Sequence, residues 1–112
     1  MIFLPGGYPG YVNLENSLEV INILAECNNS KKTIAAICAA PSILGKQGML
    51  KNKSACCFPG FENELKGAEV SFDDVVVCEN IITSRGAGTA HKLGFKIVEL
   101  LKGKAVADNL AS

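Results

Sequence analysis

The sequence predicts one α/β domain built on a mostly parallel sheet. Its 112 residues are enough for a single small domain. The hydrophobic fraction is 48% with few aromatic residues, which is typical of a sheet buried on both faces. Apolar segments with strand character alternate with segments of helical periodicity, and this alternation is typical of a layered α/β architecture.

The first half of the chain predicts two strands and two helices. Residues 1–4 are a short apolar strand ended by "PGG". Residues 14–27 predict an amphipathic helix, because apolar side chains recur there at spacings of three and four, at Leu14, Leu18, Ile21 and Leu24. Residues 33–37 predict a central parallel strand, apolar on both faces. Residues 39–46 predict a helix that tolerates Pro41 in its first turn.

The second half predicts three more strands and a helix. Residues 54–58, "SACCF", form one strand candidate. The stretch "VVVCENIITS" predicts a hairpin around Glu79 and Asn80, with Asn80 at positive φ. A helix is predicted over residues 90–101, with a common apolar face at Leu93, Ile97, Leu100 and Leu101. Gly103 ends this helix, and a short terminal helix follows.

Composition argues against several classes of partner. The formal net charge is zero, so the sequence offers no electrostatic footprint for nucleic acid and no polybasic patch for a membrane. No apolar run approaches the roughly 18 residues that span a bilayer. The five cysteines form no CxxC pair, and His91 has no second ligand at metal spacing. We therefore expect reduced thiols, a cytoplasmic location, and neither a disulfide nor a metal.

Cys38 lies in the unusual stretch "AAICAAP". A buried strand that meets a helix without a loop forces a sharp turn at the junction residue, and small neighbours give the chain room to turn. The junction side chain then stands above the carboxyl ends of the strands, at a helix N-terminus that favours a thiolate. This is the logic of a nucleophile elbow. From these residues alone, Cys38 fits either that role or a small core residue.

The turn "LPGG" follows the first strand and should lie at the same sheet edge. Gly6 and Gly7 allow close backbone approach and can aim an N–H into the crevice. Together with the N–H of Ala39, that group would form an oxyanion hole with two donors beside Cys38.

Four motifs in order give the sequence a family resemblance over nearly its whole length. "LPGG" at 4–7, "AAICAAP" at 35–41, "CFPGFE" at 57–62 and "ITSRGAGTA" at 82–90 resemble the DJ-1/PfpI (ThiJ) family, most closely its bacterial YajL-like branch. The resemblance implies a flavodoxin-like (class I glutamine amidotransferase-like) α/β sandwich, usually homodimeric. It also implies a reactive, redox-sensitive cysteine at the elbow that needs no cofactor.

Carried over by motif, the resemblance assigns site residues. Cys38 would be the nucleophile, and Gly7 and Ala39 would supply the oxyanion-hole amides. The residues bordering the site would be Gly6, Gly86, Ala87 and Gly88.

Some residues depart from the family pattern. Many relatives have a histidine at the position of Phe58, so a Cys–His pair from this segment is absent. Ala87 replaces a frequent proline, which is a minor change. His91 follows the glycine turn on a helix and is a poor catalytic candidate. Arg85 could bind an anion, although a surface role suits it better. The other cysteines fit core positions, namely Cys27, Cys56, Cys57 and Cys78.

Length is the largest departure. Family members usually carry an additional N-terminal part, whose glutamate hydrogen-bonds the elbow cysteine and carries protons. This chain resembles the C-terminal portion of a single DJ-1/PfpI domain, residues 1–112, and neither Glu62 nor Glu64 matches that glutamate. We expect a complementary segment to cover a sheet edge and apolar strand faces that this chain covers only in part.

Three functions are compatible with this resemblance. The first is an enzyme in which Cys38 attacks a reactive aldehyde such as methylglyoxal, or a glycated thiol or amine, in glyoxalase or deglycase chemistry. The second is a chaperone that senses oxidative stress through oxidation of Cys38, without physiological turnover. The third, a peptidase or amidotransferase-like hydrolase, lacks a matching histidine.

Overall fold

The computed structural model describes residues 1–7 and 10–102, with the side chains of Ala87, Leu101 and Lys102 left out. Its strands and helices follow one another in the order Ile2–Leu4 (β1), Gly10–Glu15 (α1), Leu18–Asn29 (α2), Ile34–Ile37 (β2), Pro41–Lys46 (α3), Ser54–Ala55 (β3), Glu69–Val70 (β4), Val75–Cys78 (β5), Ile81–Ser84 (β6) and Ala90–Lys102 (α4). Strands and helices alternate over much of the chain, as the sequence predicts.

The main sheet has four strands in the order β1-β2-β6-β5. β1 pairs with β2 and β2 with β6 in parallel, whereas β5 pairs with β6 as an antiparallel edge. The prediction of a mostly parallel α/β sheet is confirmed. Because parallel strands end at the same edge, the segments that follow β1, β2 and β6 meet there.

Both faces of β2 are buried within this chain. Ile34 and Ala36 belong to the larger core cluster, whereas Ala35 and Ile37 belong to a smaller one with Leu93 of α4. This alternation follows from the period of two along a strand. The sequence analysis expected the chain to cover this strand only in part, and the structure differs. The edge strand β1 is more open, since Phe3 is exposed.

The predicted single helix over 14–27 is two helices, and that prediction was wrong in its boundaries. α1 ends at Glu15, and α2 begins after Ser17, whose hydroxyl accepts a hydrogen bond from the Val20 N–H at 3.3 Å. An N-cap serine satisfies one of the free amides of a new helix and so starts it there. Leu24 is fully buried as expected, but Leu18 is 73% exposed and does not join the core face.

The hairpin between β5 and β6 is confirmed, but its positive φ falls on Glu79 (55°) and not on Asn80. Asn80 is held by other hydrogen bonds. Its side-chain amide donates to the Lys32 carbonyl at 3.0 Å, and its backbone carbonyl accepts the Ile34 N–H at 2.8 Å. These contacts to the start of β2 fix its backbone, so the neighbouring residue makes the turn.

The strand predicted over 54–58 is shorter than expected. Only Ser54–Ala55 pair, and they pair in parallel with Glu69–Val70, a strand that the sequence analysis did not predict. Cys56 leaves this ladder because its backbone N–H donates to Thr83 Oγ1 at 3.0 Å. The side chain of Thr83, which lies on β6 of the main sheet, thus accepts the hydrogen bond that a partner strand would otherwise accept.

The predicted C-terminal helix is confirmed from Ala90, after a 3₁₀ turn over Ala87–Thr89. Leu93 is buried and Ile97 packs beside it, but Leu100 is 49% exposed and lies off the core face. The predicted stop at Gly103 and the short terminal helix lie outside the described residues. Within the part of the chain that is described, no helix combines the length and apolar character needed to cross a membrane.

Candidate active site

Cys38 occupies the sharp turn between β2 and α3. Its φ is +61°, a left-handed conformation that is uncommon for a residue with a side chain. Two hydrogen bonds hold it there: its N–H donates to the Ser84 carbonyl at 3.1 Å, and its carbonyl accepts the Phe58 N–H at 2.8 Å. The strained turn predicted from "AAICAAP" is therefore present, and the Cys38 side chain is half-buried.

The turn continues through Ala39 and Ala40 into α3, which begins at Pro41. Ala40 and Pro41 are buried, so only small or compact side chains fit beside the sheet. Ser42 is also buried, and its hydroxyl donates to the Ala39 carbonyl at 2.6 Å. This bond fixes the peptide that follows Ala39 and keeps the turn rigid.

Gly6 packs directly against the elbow. A Cβ placed on it would lie 2.5 Å from Cys38 Cβ and 2.8 Å from the Ile37 carbonyl oxygen, distances that no real side chain tolerates. Gly7 follows with φ +93°, which favours glycine. Among residues 1–7 and 10–102, the N–H groups of Gly7 and Ala39 donate no hydrogen bond. Both are therefore available to a ligand.

A cleft of about 270 Å³ opens beside the Cys38 thiol. Its lining is largely apolar and consists of Gly7, Tyr11, Cys38, Ala39, Phe58 and Phe61. The thiol, the two residues with free N–H groups and three aromatic rings therefore share one space.

The loop after β6 closes the other side of the thiol. A Cβ placed on Gly86 would lie 3.9 Å from Cys38 Sγ, so this glycine lies close to the thiol. Thr89 fixes the loop: its Oγ1 accepts the Gly86 N–H at 3.2 Å and donates to the Gly86 carbonyl at 2.9 Å. The buried Ser84 hydroxyl is hydrogen-bonded to the same Oγ1 at 2.6 Å. This role of Ser84 and Thr89 was not predicted from the sequence, although both lie within the motif "ITSRGAGTA".

Three other candidate residues, Gly88, His91 and Arg85, are not among the residues that line the cleft. Gly88 is exposed and is not among the residues lining the cleft, and the side chain of Ala87 is not described. His91 is exposed and lines a different groove with Asp74. Arg85 donates to the Phe72 carbonyl at 3.2 Å, which supports the structural interpretation of this arginine.

No carboxylate lines the cleft within the described ranges. Glu62 accepts the Gly60 N–H at 2.9 Å, and Glu64 lies 3.8 Å from Lys46 Nζ. Both are occupied in local contacts, in keeping with the sequence analysis, which nominated neither. The described residues also include no group of three or more His, Cys, Asp or Glu side chains that could hold a metal ion.

The remaining cysteines differ in burial. Cys56 and Cys57 are buried, as the core interpretation expects, whereas Cys27 and Cys78 are half-buried. Burial raises the pKa of the Cys57 thiol to about 11 and also raises the pKa of Cys56. Both therefore stay protonated at neutral pH and react slowly.

We expect Cys38 to be the first of the five cysteines to react with iodoacetamide at neutral pH. Its thiol opens into a cleft, whereas Cys56 and Cys57 are buried and protonated. Limited labelling followed by peptide mapping measures the order of reaction. Labelling of Cys27 or Cys78 ahead of an inert Cys38 would return Cys38 to the role of a core residue.

The fold and the site define a class: α/β proteins with a cysteine at a strand-to-helix elbow beside free backbone amides. Comparison with known proteins specifies it further. The model of the DJ-1/PfpI family matches residues 1–100, and the chain belongs to that family. The bacterial branch, homodimerisation and a cytoplasmic location stay predictions.

Named relatives and solved structures agree with this assignment. The chain is 44% identical to protein DJ-1alpha of Drosophila melanogaster, over 99% of its own length and 52% of that protein. It is 33% identical to the glutathione-independent glyoxalase DJR-1.2 of Caenorhabditis elegans, over 98% of its own length and 59% of that protein. The crystal structure of Drosophila melanogaster DJ-1beta superposes with a TM-score of 0.89 at 36% identity, covering 98% of this chain and 61% of that one. The chain thus spans between half and about three fifths of these three proteins.

Proposed function

We propose that this chain is the C-terminal portion of a cysteine-dependent enzyme that acts on reactive carbonyls such as methylglyoxal. The observation that carries the proposal is the position of Cys38, a thiol on a strained turn in a cleft lined by Gly7 and Ala39, whose N–H groups donate no hydrogen bond within the described residues. The similarity of the chain to a relative named as a glyoxalase adds support. Glycated thiols and amines are adducts of the same aldehydes, and we include them among the proposed substrates.

In the proposed mechanism, the Cys38 thiolate attacks the aldehyde carbon of methylglyoxal. A C–S bond forms, the carbonyl π electrons move onto oxygen, and the N–H groups of Gly7 and Ala39 donate to that oxyanion. A proton then moves from the former aldehyde carbon to the neighbouring ketone carbon, which gives a thioester. Water cleaves the thioester, so methylglyoxal and water yield lactate without an external oxidant or reductant.

The proton transfer needs a general base, and the cleft as described holds no carboxylate or imidazole. Phe58 lies where a histidine would be needed for a Cys–His pair, and His91 lines another groove. In keeping with the family resemblance, which implies a glutamate on a further N-terminal part, we propose that the proton carrier lies outside the described residues. The same lack of an imidazole at the thiol argues against the hydrolase alternative.

The proposal is tested by measuring D-lactate formed from methylglyoxal. We expect the chain, completed by its proton carrier, to form D-lactate, and the Cys38→Ala variant to form none above background. Alanine keeps the small side chain at the turn and removes only the sulfur. Equal D-lactate formation by the two proteins would exclude Cys38 as the nucleophile.

A redox sensor is the second candidate function. The specific observation in its favour is that Gly7 and Ala39 line the same cleft as Cys38, because their N–H groups could then hold the oxygens of a cysteine sulfinate. A solved relative that is 31% identical is described as oxidized DJ-1 of Toxoplasma gondii. Oxidation of Cys38 by hydrogen peroxide without any carbonyl turnover would favour this second function over the first.

A further inference from the structure

The cleft at Cys38 has an aromatic wall. The rings of Tyr11 and Phe61 meet edge to face, with centroids 5.9 Å apart and planes at 89°. The rings of Phe61 and Phe58 continue the array at 6.3 Å and 67°. Edge-to-face arrays of this kind hold their rings in defined orientations, so the wall is a preorganised apolar surface.

Phe58 lies at the solvent-exposed end of this aromatic wall, at the mouth of the cleft. The residue is 48% exposed, whereas its backbone is tied to the elbow by the hydrogen bond from its N–H to the Cys38 carbonyl. The exposed ring is therefore held beside the thiol. A ligand with an apolar group of its own would cover this surface and remove it from water.

The rest of the lining offers little to a charged ligand. Among the described residues, no lysine, arginine, histidine or carboxylate side chain faces the cleft. The polar groups of the lining residues are the Cys38 thiol, the Tyr11 hydroxyl and the backbone N–H groups of Gly7 and Ala39, which suit one carbonyl oxygen. A charged group on the substrate, such as a carboxylate, would lose water without gaining a side chain of opposite charge as a partner.

We propose that the Cys38 cleft selects reactive carbonyl compounds that carry an apolar, ring-sized substituent over small polar or anionic ones. This inference rests on the proposed function for the reaction itself. The cleft volume of about 270 Å³ lies just below the roughly 300 Å³ at which drug-sized pockets begin. The cleft has room for one ring, an aromatic wall and one place where a carbonyl oxygen can bind. These features together define arylglyoxals and similar aldehydes as the substrate class.

Alkylation of Cys38 tests this selectivity without any need for turnover. The second-order rates of N-phenylmaleimide and N-ethylmaleimide are measured on the full chain and divided by their rates on a small free thiol. Iodoacetamide and iodoacetate are compared in the same way. We expect a normalised phenyl-to-ethyl ratio of about tenfold or more, since one apolar group in a fitted pocket discriminates by about 10- to 200-fold. Iodoacetate should be slower than iodoacetamide after normalisation.

The Phe58→His variant keeps a planar ring but makes the mouth polar. We expect it to lower the phenyl-to-ethyl ratio severalfold and to speed iodoacetate relative to iodoacetamide. Phe72→His is the matched control, because Phe72 is 68% exposed and does not line the cleft. Thermal unfolding shows whether both variants fold. If Phe58→His does not fold, the normalised phenyl-to-ethyl ratio of the unmodified chain decides whether the proposed substrate class holds.

The results separate the two proposals. A normalised phenyl-to-ethyl ratio near one in the unmodified chain overturns the substrate class, whatever the turnover. An unchanged ratio in folded Phe58→His overturns the role of this ring. Selective alkylation together with no turnover of phenylglyoxal or methylglyoxal would keep the apolar cleft and overturn the proposed function instead.

Discussion

Replacing Gly6 with alanine is expected to lower the free energy of unfolding by about 1 to 3 kcal/mol, the usual cost of forcing extra atoms into a packed site. The new Cβ would lie 2.5 Å from Cys38 Cβ, 2.8 Å from the Ile37 carbonyl oxygen and 3.3 Å from the Ala39 nitrogen. Two of these three atoms belong to the backbone of the elbow, so the clash cannot be relieved by a side-chain rotation alone. Urea unfolding measures the change in stability.

The same substitution should disturb the thiol. Because Gly6 contacts the turn itself, we expect the Gly6→Ala chain to alkylate Cys38 at a clearly different rate from the unmodified chain. Gly94→Ala is the matched control, since Gly94 lies in α4 with nothing within 4 Å of its added Cβ. Alanine there should leave the alkylation rate unchanged and favour the helix by up to about 1 kcal/mol.

A double-mutant cycle identifies the source of the clash. In Cys38→Gly the Cβ that Gly6 faces is removed, and the positive φ is no longer strained. Gly6→Ala should therefore cost less in the Cys38→Gly background than alone, with the Ile37 carbonyl contact accounting for the remainder. Equal costs in both backgrounds, or no cost in either, would contradict the packing seen between Gly6 and the elbow.

The elbow was predictable because its causes are local. A strand that runs directly into a helix, small residues on both sides of Cys38 and a proline in the first helical turn all lie within nine residues, "TIAAICAAP". Such patterns determine backbone geometry with little help from distant contacts. Gly6 also followed from the sequence, because parallel strands place "LPGG" at the same edge of the sheet.

Features that depend on distant contacts were not predictable. The aromatic wall brings Tyr11 from α1 against Phe61 from the segment after β3, and Phe61 in turn meets Phe58. No periodicity links Tyr11 to this segment. The turn at Glu79 depends on the hydrogen bonds that Asn80 makes to the start of β2. Local preference alone assigned positive φ to the asparagine, which tolerates it best.

The Thr89 network shows an intermediate case. Its residues were visible within one motif, but the sequence could not show that one hydroxyl would bridge both backbone groups of Gly86 and the Ser84 side chain. Ser84 also accepts the Cys38 N–H through its carbonyl. The loop and the elbow are thus joined through the end of β6, which explains why both motifs belong to one site.

The second large effect should come from a proton carrier. A positioned general base contributes about 10²- to 10⁴-fold to a rate, and the cleft as described has none. We expect the 112-residue chain to turn over methylglyoxal slowly, and to gain a factor in that range when the missing group is supplied. We expect a chimera that adds the part of Drosophila melanogaster DJ-1beta outside the matched region to supply it.

Variants of the chimera distinguish a proton carrier from a general gain in folding. Each glutamate of the added part is replaced singly by glutamine, which keeps the shape and removes the titrating group. One such variant should fall back to the rate of the chain alone while Cys38 alkylation and thermal stability stay those of the chimera. Turnover by the 112-residue chain at the rate of the chimera would show that these 112 residues suffice, and the proposal that the base lies on a further segment would then be wrong.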